Sequence, residues 1–231
     1  MLEQWNLPAA CLVDSVVFKK HFYENTDLSA ADKKLFTDGI EKIVWQYSIK
    51  EENSFIRPYR DDVREYAEVE VFVVQLHHQG KERRIAEILM RAIPYPMLLV
   101  LRCADQVQLW AAHQRNSQND SDKNVLEELQ STTWIPAEEL DGLFRFEALR
   151  KSDFYALYTD MVDAVSTFQA KHLLGRTALS GDEARALLQK QEALEAKLTV
   201  LRAQLKKETQ FNRKVELSME IKKLEKEREN L

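Results

Sequence analysis

The feature that most limits what this chain can fold into is its last fifty residues. Asp182 to Leu231 contains no glycine and no proline, and Phe211 is its only aromatic residue. Glu, Lys, Leu, Ala, Gln and Arg fill most of it, and these side chains lose little freedom on entering a helix. Leu187, Leu194, Leu198, Leu201 and Leu205 are spaced seven, four, three and four, as heptad a and d sites are, with Ala184 and Gln191 in the remaining seam positions. Continued in phase, the seam meets Glu208, Asn212, Val215, Met219 and Lys222 and degrades. A second apolar set, Leu217, Ile221, Leu224 and Leu231 with Arg228 interrupting, runs two residues out of step, which neither common heptad discontinuity produces.

Two arrangements fit that shift. The helix stays continuous and changes partner face, or it breaks near 209–212 and folds back as a hairpin. The lack of Gly or Pro at the break favours the continuous form, a rod of roughly 75 Å at about 1.5 Å per residue. Such a rod cannot cover its own leucine stripe. Leu194, Leu198, Leu201, Leu205, Leu217, Ile221 and Leu224 are therefore the expected partner-binding residues, contacting a second copy of the chain or another protein; the alternative is that the chain's own returning helix covers them. Ser180 with Glu183 forms a capping-box pattern, and Gly175 and Gly181 bracket the joint with the residues upstream.

Those upstream residues read as a folded body. The expected division is 1–175 for this body and 176–231 for the helical extension. The whole chain has 231 residues, 45% hydrophobic and 31% charged, enough for one core and against general disorder. The net charge of −5 is uneven: the stretch from Asp182 onward carries +2 and the body −7, a poor general surface for nucleic acid. In the body, Ser29 with Asp32 marks a helix start, and Phe36, Ile40, Ile43, Val44 and Tyr47 at helical spacing predict a helix from 30 to about 47. Val69 to Leu76 is apolar on both faces, as a central strand is. A helix through Ile85 to Ile93 is stopped by Pro94. Strands follow at 97–101, 107–113 and 132–135, then a helix at 153–168, while the wholly polar 114–123 reads as a mobile surface loop. The fold class expected is α+β: a mixed sheet of about four strands packed with helices, followed by a long C-terminal helix, as coiled coil or hairpin.

The chemistry-bearing patterns are sparse. A restriction-type nuclease needs two acids and a lysine two residues beyond the second to hold a divalent cation and a water. Glu68 and Glu70 enter the strand at 69–76, but no lysine follows them. His77 and His78 are strand neighbours and point to opposite faces. Cys11 and Cys103 form no CxxC, and no glycine-rich phosphate loop can be written. No metal, cofactor or catalytic residue is expected. Lys206, Lys207, Arg213 and Lys214 make the most basic patch and are the candidate nucleic-acid contacts, diluted by Glu208 and Glu216. No basic-then-apolar leader opens the chain and no apolar run approaches a membrane span, so a cytoplasmic location without a membrane partner is expected.

Several segments in order carry a resemblance: Asn6-Leu7-Pro8, Phe22-Tyr23-Glu24, Ile40-Glu41-Lys42-Ile43-Val44-Trp45, Ala92-Ile93-Pro94-Tyr95, Trp134-Ile135-Pro136 and Gln210 through Leu217. Together they resemble the bacterial domain-of-unknown-function family 4391 over nearly the whole chain. The resemblance assigns no catalytic residue. It implies company, since members sit beside DNA methyltransferase and helicase genes of restriction or phage-defence type, which makes a helicase or methyltransferase a possible partner. The function expected is a non-catalytic interaction or adaptor protein, an accessory subunit of such a system; the alternative is a metal-dependent nuclease or its degenerate descendant.

Overall fold

The computed structural model describes residues 2–24, 28–117 and 124–231. In chain order the elements are β1 (Leu12–Val17), α1 (Lys20–Glu24), α2 (Ala30–Gly39), β2 (Ile40–Ile49), α3 (Glu51–Ser54), β3 (Tyr59–Arg60), β4 (Glu65–Tyr66), β5 (Val69–Leu76), α4 (Glu82–Ala92), β6 (Met97–Cys103), β7 (Gln106–Ala111), β8 (Gln114–Asn116), β9 (Asn124–Leu126), β10 (Gln130–Ser131), β11 (Ile135–Pro136), α5 (Phe154–Leu174), α6 (Gly181–Lys207) and α7 (Phe211–Glu229). The main sheet runs β1-β2-β5-β6-β7-β10, with β11 also paired to β7. Among the described residues β5 and β6 are its one parallel pair, and α4 supplies the crossover that a parallel pair requires.

The sheet is apolar on both faces because its central strands alternate between two cores. Val69 and Val71 of β5, with Leu98 and Val100 of β6, face one side, where α5 packs through Phe154, Leu157, Tyr158, Met161 and Val165. Phe72, Val74, Met97, Leu99 and Leu101 face the other, beneath Phe36 of α2 and Ile85, Ile88 and Leu89 of α4. Tyr158 ties helix to sheet from within: its hydroxyl donates to the Met97 carbonyl at 2.7 Å and accepts from the Ala112 N–H at 3.1 Å. Asp32 ties α2 to α4, taking both ends of the Arg84 guanidinium at 2.8 Å. That cation holds the carboxyl far below the usual range, aided by the Ser29 hydroxyl.

The α+β class with a mixed sheet stands, but four details of the expectation are corrected. The sheet has seven strands rather than about four, because short edge strands such as β10 and β11 carry too few residues to show a period. The helix expected to 47 ends at Gly39, and Ile40–Ile49 is a strand. Bulges between Ile40 and Lys42 and between Trp45 and Tyr47 break its alternation, so Ile40 and Ile43 point into the same core and imitate helical spacing. In the polar stretch from 114, Gln114–Asn116 is a strand paired with β9, and Gln114 is buried, its amide bonding the Met90 and Tyr95 carbonyls; 118–123 lie outside the described residues.

The fourth correction concerns the long helix. It is not continuous: α6 ends at Lys207 and α7 begins at Phe211, folding back as an antiparallel hairpin. No glycine is needed because Glu208 makes the turn. Its backbone is extended, and its carboxylate accepts from the Thr209 and Gln210 N–H groups at 2.7 and 2.9 Å, satisfying donors that a helix start leaves open. These bonds also lower the Glu208 carboxyl pKa. At the other end, Ser180 and Glu183 do form the capping box, and α6 lies against α5 so closely that a Cβ on Gly181 would run into the Asp163 carboxylate.

Candidate functional site

The hairpin receives the residues the sequence singled out. Leu194, Leu198, Leu217 and Ile221 are buried, Leu198 completely, and Leu201, Leu205 and Leu224 are half-buried. Their cover comes from this same chain: α6 packs on α5 and α7. Ion pairs line the α6–α7 seam, Arg202–Glu225 at 2.7 Å, Arg228–Glu195 at 2.8 Å and Lys190–Glu227 at 3.3 Å. The leucine seam is therefore not a free surface, which corrects the premise that the helix outruns what its own chain can shelter. What the hairpin does leave open is Val200 on α6 and, one turn apart on α7, Phe211, Val215 and Met219; Phe211 is 77% and Met219 68% exposed. The turn gathers the basic candidates at the tip: Lys206, Lys207, Arg213 and Lys214 are all exposed, with Arg213 held by Glu216 at 2.7 Å.

A second constellation sits where β2 meets β5. Ser48 stands directly opposite Glu70 across the strand pair, and Trp45 opposite Phe72. The Ser48 hydroxyl donates to Glu70 Oε1 at 3.0 Å and the Trp45 indole N–H donates to Oε2. Lys50, one residue past β2, reaches Glu68 at 3.0 Å, and burial, with the Glu68 charge nearby, raises the pKa of the Tyr95 hydroxyl. Above these groups opens a cleft of about 330 Å³, walled by Val17, Phe22, Trp45, Phe72, Ile93 and Tyr95, with His21, Glu68 and Glu70 also in the lining. Trp45 and Phe72 are parallel, centroids 6.2 Å apart.

The electrostatics follow from that geometry. Glu70 is 2% exposed. Burial pushes its carboxyl up to about 7, partly offset by the bond from Trp45 and raised further by Glu68. Lys50 is itself shifted upward by its bond to Glu68. Sequence reading noticed both glutamates but not that Trp45, Ser48 and Lys50 meet them, because 30–47 was read as a helix and no strand was expected to pair with 69–76 on that side. No lysine follows the glutamates on β5; Lys50, just past the neighbouring strand, is the one that pairs with Glu68.

Other candidates resolve as packing. His113 lies among Tyr66, Tyr155 and Tyr158, its Nδ1 3.0 Å from the Tyr66 hydroxyl, and burial pushes its imidazole down to about 4. It does not meet His77 or His78, which are exposed. Arg60 pairs with Glu65 at 3.7 Å, Arg64 with Glu127, and the Arg57 guanidinium donates to the Ser152 carbonyl at 3.3 Å. Cys11 is buried, its thiol raised to about 11 by desolvation; Cys103 is half-buried, and both are free thiols. Among the described residues no three His, Cys, Asp or Glu side chains are grouped to hold a metal ion, and no helix is long and apolar enough to cross a membrane.

No curated protein and no solved structure matches this chain. A family match covers residues 5–227, from the Trp5 that anchors one core to the last turns of the hairpin. The chain belongs to the family described as Domain of unknown function (DUF4391).

Proposed function

We propose that this protein is a non-catalytic adaptor, an accessory subunit that docks a partner protein on the outer face of its C-terminal hairpin. The observation that carries the reading is the row of Phe211, Val215 and Met219 on α7, exposed at four-residue spacing, while the leucines of the same hairpin are covered. Apolar side chains aligned on a solvated helix face are the anchor pattern of a helix laid against another protein. The partner surface that fits is an apolar groove with a rim of both charges, because Lys214, Glu216, Glu220 and Lys222 stand beside the row in sequence. A subunit of a restriction-modification or phage-defence assembly, such as a helicase or methyltransferase, is the kind of partner the family resemblance suggests.

The metal-dependent nuclease is the less favoured alternative. Both oxygens of Glu70 accept hydrogen bonds from Trp45 and Ser48, and Glu68 is engaged by Lys50; among the described residues no third acid, histidine or cysteine joins them to complete a metal ion's ligand set. A nucleic-acid contact has one observation in its favour, the four cations gathered at the hairpin tip.

The test is a photo-crosslinking residue placed at Phe211 in the full-length chain, expressed in the native host. A discrete protein adduct that disappears with Val215→Ser and Met219→Ser is expected. An adduct to nucleic acid, weakening steeply with salt, would favour the tip contact. Adduct formation only between copies of this chain, with a doubled mass in light scattering, would make the partner a second copy. Cleavage of DNA with added Mg²⁺ that is lost in Glu70→Ala would overturn the adaptor reading.

A further inference from the structure

We propose that the cleft between β2, β5 and the turn after α4 binds a small organic cation: an amine or amidinium nitrogen on a flat or aliphatic apolar body, the nitrogen against Glu70 and Glu68 and the body against Trp45, Phe72 and Tyr95. The adaptor reading does not use this cleft and does not depend on it.

Three observations combine. The first is the shape and lining. A cleft of about 330 Å³ with Val17, Phe22, Trp45, Phe72 and Ile93 in its wall lies in the size range of small-molecule sites, which are mostly apolar with a few placed polar groups. The second is where the polar groups stand. Glu68 and Glu70 both line the cleft and stand two residues apart where β5 begins, so a bound molecule with a cationic terminus would meet both carboxylates there and aromatic rings along its body. Aromatic faces also attract cations.

The third is the charge count there. Among the described residues the two carboxylates face Lys50, which is bonded to Glu68, with His21 also in the lining. The two donors that hold Glu70, Trp45 and Ser48, are both neutral. With Glu70 ionised the three groups carry one uncompensated negative charge in a buried setting, and such a charge must be neutralised by a proton or by a counter-ion. Without a bound cation a proton serves, consistent with a Glu70 carboxyl that burial pushes up to about 7. A bound ammonium or amidinium would take the proton's place. A ligand anion would meet two carboxylates, and a purely apolar ligand would leave the charge unanswered.

Binding is thus linked to proton release: the cation enters as Glu70 gives up its proton, so affinity rises with pH. The other titratable groups facing Glu70 are Glu68 at the start of β5, Lys50 at the end of β2, Tyr95 on the turn after α4, and His21 of α1 in the cleft lining.

Calorimetric titration of the full-length chain with benzylammonium, benzyl alcohol and benzoate tests this. Benzylammonium is expected to bind about tenfold or more tighter than the alcohol at pH 8, with benzoate weakest and the preference shrinking at pH 6. Glu70→Gln, which keeps the shape but not the charge, should abolish the preference while Glu208→Gln, at the far hairpin turn, should not. Equal binding of amine and alcohol, tighter binding of benzoate, retention of the preference in folded Glu70→Gln, or no binding of any probe at millimolar concentration would overturn the proposal. Should Glu70→Gln not fold, the pH dependence in the unmodified chain decides: an amine preference that does not fall between pH 8 and pH 6 overturns it.

Discussion

Arg228 reaches back across the C-terminal hairpin to Glu195, guanidinium to carboxylate at 2.8 Å, although thirty-three residues separate them. In the sequence Arg228 interrupts an apolar row; in the structure it is one of three ion pairs that set α6 against α7. Exposed pairs of this kind contribute little each. The seam they border holds Leu194, Leu198, Leu217 and Ile221, and its burial is the larger effect.

Leu198 has no solvent exposure, so Leu198→Ala should cost about 2–5 kcal/mol in the unit that includes the hairpin. Urea unfolding followed by circular dichroism measures it. The molecular mass in light scattering should not change, because the residue packs within its own chain. By contrast, Met219→Ser on the exposed face should move stability by no more than about 0.5 kcal/mol.

Glu70 predicts a pH dependence. In the unfolded chain its carboxyl ionises near the ordinary 4.5; in the folded chain it keeps its proton to about 7. Between those values the folded chain binds the extra proton, so the stability Glu70 contributes is complete below 4.5 and is lost as pH rises through 7. Glu70→Gln carries no such proton. Relative to wild type it should gain about 3 kcal/mol on going from pH 4 to pH 8. Denaturant midpoints of the two proteins at both pH values give the difference, and the opposite contribution of His113, whose imidazole is pushed down to about 4, cancels in that comparison.

Removing one oxygen from Tyr158 should be felt in two strands. Its hydroxyl serves both the Met97 carbonyl of β6 and the Ala112 N–H just past β7, in a fully buried position. Tyr158→Phe leaves both groups short of a partner and should cost about 1–3 kcal/mol. Thermal denaturation and faster hydrogen exchange at the Ala112 amide would register it.

Gly181→Ala adds one methyl where α6 meets α5, against the Asp163 carboxylate that Arg185 also holds. A gain in helix propensity is outweighed by the displaced pair, for a net loss of about 1–3 kcal/mol. The double variant Gly181→Ala with Asp163→Ala should recover part of it, since the obstacle is gone; a loss that is simply additive would show that the two sites are not coupled.

The sequence by itself determined the helical character of 181–229, the capping box at Ser180, the stop of α4 before Pro94 and the buried strand at 69–76. Each of these depends on neighbours within a few residues: propensity, a cap, a ring that cannot continue a helix, a run of β-branched side chains. Only the tertiary structure decided the rest. A helix through 40–47 and a doubly bulged strand place apolar residues at the same intervals, and pairing with β5 selects the strand. Whether the leucines of 194–224 face a partner or one another turned on a reversal at Glu208, made by a carboxylate bonding two backbone amides rather than by a residue type that marks turns. The cleft was the least legible of all, because Trp45, Ser48 and Lys50 stand about twenty residues before the glutamates they meet, and only the antiparallel register of β2 on β5 brings them together.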